Sequence, residues 1–148
     1  MNTPPIGQPG AFLIHGTPKT FPDLAQILTD HGFTPATAIP DLIIFATPHP
    51  DLAVTAEALA STQAKLAILL IPPLTDPADW RTASTIAATQ AFTRACALAY
   101  AARNLRINAI TCPLHTPATE LAQTIALMLS LPSMTGQLIT LSPKAHVS

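Results

Sequence analysis

Three short segments of this chain are apolar without a break: Ala11–Ile14, Leu42–Ala46 and Leu66–Ile71. A strand with one wet face alternates apolar and polar residues. A strand that is apolar throughout is buried on both faces, as in a parallel sheet covered by helices on each side. Arg106–Thr111 and Gln137–Leu141 read as two further strands, and each gap between strands is long enough to hold a helix. Five strands alternating with helices predict a single α/β domain over residues 1–148, built as a three-layer αβα sandwich on a parallel sheet of about five strands. Met1–Gly10, rich in Pro and Gly, reads as a flexible lead-in.

The helices carry recognisable signals. Thr20 is placed as an N-cap, with Leu24, Ile27 and Leu28 as the stripe and Gly32 as the stop. Asp51 caps a helix through Ala64, with Val54, Ala56, Leu59 and Ala60 apolar and with Thr55 and Glu57 expected outward. The longest helix is predicted over Ala83–Arg103, and Asn104 suits a left-handed stop. Its apolar positions are Ile86, Ala87, Ala91, Phe92, Ala95, Leu98, Ala99 and Ala102, and almost no polar face is left between them. Such a helix is expected to be buried on two sides, by the sheet and by a second helix layer or a partner. Pro117 opens the last helix, whose stripe is Leu121, Ile125, Met128 and Leu129.

Composition narrows the function classes. Charged residues make up 10% of the chain, well below the usual ~25%, which predicts that part of the surface is hidden against another subunit. The seven basic residues are scattered, so nucleic acid is not an expected partner. No apolar run approaches a membrane span, and the N-terminus does not read as a secretory signal, so the expected location is cytoplasmic. Cys96 and Cys112 read as buried free thiols.

Two segments carry a resemblance. Phe92-Thr93-Arg94-Ala95, followed by Leu105-Arg106-Ile107-Asn108-Ala109-Ile110, resembles the helix and strand "LTRALAxELAxxGIRVNAV" of the short-chain dehydrogenase/reductase family. Met134-Thr135-Gly136-Gln137-Leu138-Ile139 resembles that family's late "TGQxLxVDGG" strand, in the right order. Asp41-Leu42-Ile43-Ile44-Phe45-Ala46 resembles "DVLVNNAG" but continues as Thr47-Pro48. The resemblance implies a Rossmann-like fold, a nicotinamide cofactor and a Tyr/Lys pair on the long helix.

The groups that this chemistry needs are replaced. The glycine-rich phosphate loop corresponds to His15–Pro22. Gly16 fits its first glycine, but Thr20 and Pro22 stand at the next two, and Lys19 is the sole cation there. Only Phe33–Asp41 fills the space where the family has two more strands, so the adenosine edge is read as deleted, leaving the first strand at or near an edge. Thr82 and Ile86 align with the tyrosine and lysine, Ile71-Pro72-Pro73 stands at the serine-bearing strand end, and the relay asparagine has no counterpart.

No catalytic, cofactor-binding or metal-binding residue is therefore assigned, and NAD(P) is not expected to bind. The expected function is that of a non-catalytic structural, assembly or regulatory subunit. It would form a homodimer, a homotetramer or a hetero-oligomer with an intact family member through the Asp51–Ala64 and Ala83–Arg103 helices. One alternative is an NAD(P)-dependent oxidoreductase with an atypical site. Another is a small-ligand or metal site built from His15, His49, Cys112 and His115 at the strand ends.

Overall fold

A computed structural model of the chain describes residues 10–16, 18 and 21–141. Six strands form one parallel sheet: β1 (Ala11–His15), β2 (Thr34–Pro35), β3 (Leu42–Phe45), β4 (Leu66–Ile71), β5 (Arg106–Thr111) and β6 (Leu138–Thr140). Their spatial order is β2-β1-β3-β4-β5-β6. Four α-helices alternate with them: α1 (Leu24–Asp30), α2 (Leu52–Ser61), α3 (Trp80–Tyr100) and α4 (Ala118–Ser130). This is the Rossmann-like α/β architecture.

Two cores flank the sheet. Phe12, Leu42, Ile44, Leu66, Ile68 and Ile110 point towards α1 and α4, where they meet Leu24, Leu28, Leu121 and Ile125. The alternate residues Ile43, Phe45, Ala67, Leu69, Ile107 and Ala109 point towards α2 and α3, where they meet Leu59, Cys96 and Ala97. Strands β3 and β4 serve two cores and have no polar face to spare, which accounts for their unbroken apolar runs. The run Ala11–Ile14, expected to be buried on both faces, is not: Leu13 in β1 is 41% exposed.

The predicted five strands become six. Thr34–Pro35, a strand of two residues, pairs with Ala11 and Phe12 and lies outside β1. The first strand is thus near the sheet edge and not at it. Pro35 suits this edge because it has no N–H to leave unpaired. Asp41 ties the neighbouring strand together: its carboxylate accepts the Ala11 N–H at 2.9 Å, and its own N–H donates to the Ala11 carbonyl at 2.9 Å.

The helix ends follow local signals. Asp51 accepts the N–H groups of Ala53 and Val54 at 3.0 and 3.3 Å. The long helix starts earlier than predicted, at Trp80, because Asp79 accepts the Thr82 N–H at 3.0 Å. A short 3-10 turn follows α3, and Asn104 then adopts the left-handed conformation with φ 58°. Gly32 follows α1 with φ 92°. The cap expected at Thr20 lies outside the described residues, and α1 begins after Asp23.

Candidate functional site

The chain passes from β1 outward to β2 and returns to β3 on the other side of β1. The carboxyl ends of β1 and β3 therefore flank the topological switch point, where sheets of this kind bind ligands. His15 and Phe45 are paired across these two strands, and their rings stack with centroids 5.1 Å apart. A cleft of about 390 Å³ opens beside them, lined by His15, Thr47, His49, Asp51, Val54 and Thr55 among others.

Gly16 shapes the mouth of this cleft. Its φ is 85°, and a Cβ there would collide with the Thr47 side chain and lie 3.0 Å from the Thr47 nitrogen. A turn against the neighbouring strand is sufficient reason for a glycine at this position. Thr17, Lys19 and Thr20 lie outside the described residues. On the α1 and α4 side of the same edge, a smaller cavity of about 50 Å³ is lined by Pro18, Phe21, Pro48, Leu70, Pro72 and Cys112 among others. None of its described lining residues carries a charge.

The four strand-end residues weighed as a ligand set do not converge. His15 and His49 share the large cleft, whereas Cys112 belongs to the core on the other face of the sheet. His115 is exposed, with φ 65°, and lines neither cavity described above. Among the described residues no group of three or more His, Cys, Asp or Glu side chains is placed to hold a metal ion. Burial pushes the Cys112 thiol up to about 12, and burial also raises Cys96, so both thiols are protonated at neutral pH. His49 Nδ1 lies 3.4 Å from the Thr85 hydroxyl, which itself donates to the Arg81 carbonyl at 3.1 Å. With its proton directed to the Arg81 carbonyl, the Thr85 hydroxyl is left to accept from His49 in the tautomer that carries the Nδ1 proton.

Thr82 and Ile86 lie in the first two turns of α3 and line neither cavity. The Thr82 side chain and N–H hold the Asp79 carboxyl below its ordinary pKa. Ile86 packs against the core.

The two segments that carried the resemblance meet in space. Asn108 is fully buried. Its Nδ2 donates to the Met134 carbonyl at 3.0 Å, and its Oδ1 accepts the Gln137 N–H at 2.9 Å. The Thr135 hydroxyl accepts the Ile107 N–H at 3.0 Å. These bonds hold β6 against β5.

Sequence reasoning gave no role to two arginines that the structure places at helix ends. Arg103 donates to the carbonyls of Leu59 and Thr62 at 3.3 and 3.1 Å, at the end of α2. Arg106 donates to the carbonyls of Met128, Leu129 and Leu131, at the end of α4. A guanidinium with several donors suits unpaired carbonyls at a negative helix end. Burial lowers the Arg106 pKa from its ordinary value.

The largest correction concerns α3. Its buried residues are Thr89, Thr93, Cys96 and Ala97. The expected core positions Ala87, Ala91, Ala95, Leu98, Ala99 and Ala102 are exposed, and Leu98 is 83% exposed. Thr89 and Thr93 are buried without cost to their hydroxyls, which donate to the carbonyls four residues earlier at 2.8 and 2.7 Å. A threonine satisfied in this way fills more space against a sheet than an alanine does. The sequence signal was a second stripe, Thr82, Thr85, Thr89, Thr93 and Cys96, with helical spacing as good as that of the apolar one. In α2 the same inversion buries Thr55 and leaves Val54 60% exposed, against expectation.

No protein-family model matches this chain, and no curated protein matches it. Among the described residues no helix is long and apolar enough to cross a membrane.

Proposed function

We propose that this chain is a non-catalytic relative of the short-chain dehydrogenases/reductases that works as a structural or regulatory subunit, docking through α2 and α3. The observation that carries this is the inverted burial of these helices. Hydroxyl-bearing residues pack inward, while Leu98, Trp80 and Val54, at 83%, 67% and 60% exposure, stand outward among exposed alanines. A surface of this kind is costly to keep wet and is suited to a partner. The placement of Thr82 and Ile86 in α3, where a proton donor and a cation would be needed, supports the loss of hydride chemistry.

Two measurements test this together. Light scattering on the purified chain is expected to give a mass above one chain, and calorimetry with millimolar NADH or NADPH is expected to give no binding heat. A monomer, or clear cofactor heat, overturns the proposal. A second reading, a small ligand held between His15 and His49, is supported by the 390 Å³ cleft that they share. Protection of both imidazoles from diethyl pyrocarbonate by a bound metabolite would favour it.

A further inference from the structure

One face of β1 is left bare. Leu13 and His15 alternate with Phe12 and Ile14, so they point to the α2 and α3 side of the sheet. Their partners in the adjacent strand, Ile43 and Phe45, are buried in the core on that side. Leu13 is 41% exposed and, among the described residues, packs against neither core. The cause is an absent crossover helix. A helix follows each of β1, β3, β4 and β5, whereas residues 36–41 join β2 to β3 without one. The large cleft shows the same gap. Phe45, Val54, Thr55 and Ala58 wall it on the β3 and α2 side, and neither residue of β2 lines it.

We propose that this face is covered by the residues that precede β1, with Pro4-Pro5-Ile6 lying on Leu13 and Gly7-Gln8-Pro9-Gly10 forming the turn. This contact is independent of docking through α2 and α3. Connectivity selects the occupant. Residues 1–9 lead into β1 through Gly10, three residues from Leu13. Both edges of β1 are taken, by β2 and β3, so a segment that folds back must lie on a face of the sheet. The other face is packed by Leu24 and Leu28 of α1. Glycine and proline at 7, 9 and 10 suit the reversal. Four residues in the polyproline conformation then span about 12 Å, enough to run from Ala11 past Leu13. Chemistry agrees. Residues 1–9 carry no charged side chain. Pro4 and Pro5 have no N–H to bury unpaired, and a stiff Pro-Pro pair loses little entropy on docking. Residues 142–148 fit less well. They leave β6 with β5, β4 and β3 between them and β1, and they carry Lys144.

Two measurements on the full chain test this. In the native chain, nuclear Overhauser contacts are expected between the Leu13 methyls and the side chains of residues 4–6, and their absence overturns the proposal. The second measurement is the alkylation rate of Leu13→Cys by iodoacetamide. Cys96 and Cys112 are buried, and the native chain serves as the blank. Adding Pro4→Asp and Ile6→Asp is expected to speed this labelling by roughly tenfold, with unchanged circular dichroism. Equally rapid labelling with and without the aspartates overturns the proposal. Slow labelling in both that quickens on dilution assigns the face to a second copy and also overturns it. Slow labelling in both at every dilution shows Leu13 shielded without these residues, which overturns it as well. Each of these results leaves the docking role of α2 and α3 standing.

Discussion

The side-chain oxygen of Asn108 in β5 accepts the backbone N–H of Gln137 at 2.9 Å, across twenty-nine residues of sequence. Its amide donates to the Met134 carbonyl at 3.0 Å, so one buried side chain closes the loop that leads into β6. Replacing Asn108 by Leu removes both bonds and leaves the Met134 carbonyl and the Gln137 N–H without their part-buried partner. The expected loss is about 2–4 kcal/mol of unfolding free energy, read from urea denaturation. Asn108→Asp is also expected to destabilise, because a carboxylate has no donor for Met134.

Arg106 ends α4 by gathering the carbonyls of Met128, Leu129 and Leu131. Arg106→Met keeps the apolar stem and removes the donors. A loss of about 1–3 kcal/mol is expected, with faster amide exchange in the last turn of α4. Arg106→Lys is expected to recover only part of it, since an ammonium lacks the fork that spans several carbonyls.

Gly16→Ala is expected to destabilise by about 1–2 kcal/mol or more, through left-handed strain as well as contact with Thr47. A Cβ there would lie 3.0 Å from the backbone nitrogen of Thr47. The double variant Gly16→Ala/Thr47→Ala is therefore expected to remain well below the native melting temperature. Full recovery would show that only the Thr47 side chain demanded the glycine.

The Cys112 thiol is pushed up to about 12 by burial, from its ordinary value of 9.0. Between these two pH values the unfolded chain holds fewer protons than the native one, so stability is full below the lower value and falls as pH rises through the window. Cys112→Ala is expected to flatten this alkaline slope in urea titrations, with a smaller slope left by Cys96, whose thiol is raised in the same direction.

Thr93→Val tests the inward threonines of α3. The hydroxyl donates to the Thr89 carbonyl at 2.7 Å, and valine keeps the shape while removing the donor. A change within about 1 kcal/mol is expected. Thr93→Ala, which opens a void against the sheet, is expected to cost more than Thr93→Val by differential scanning calorimetry.

The sequence by itself determined the layered parallel sheet, because strands such as Leu42–Phe45 and Leu66–Ile71 have no residue able to face water. It also determined the ends at Asp51, Asn104 and Gly32, whose signals act within a turn of chain. Only the tertiary structure decided which stripe of α3 faces the sheet. The Thr89–Thr93–Cys96 stripe and the Ala87–Ala91–Leu98 stripe have the same helical period, and residue polarity favoured the wrong one. Back-bonding to the helix's own carbonyls removed the penalty for burying threonine, and fit against β4 and β5 settled the choice. Tertiary structure likewise brought Asn108 to Gln137, parted Cys112 from His49, and gave Arg103 and Arg106 their helix ends. Contacts between residues far apart in the chain leave no periodic trace in it.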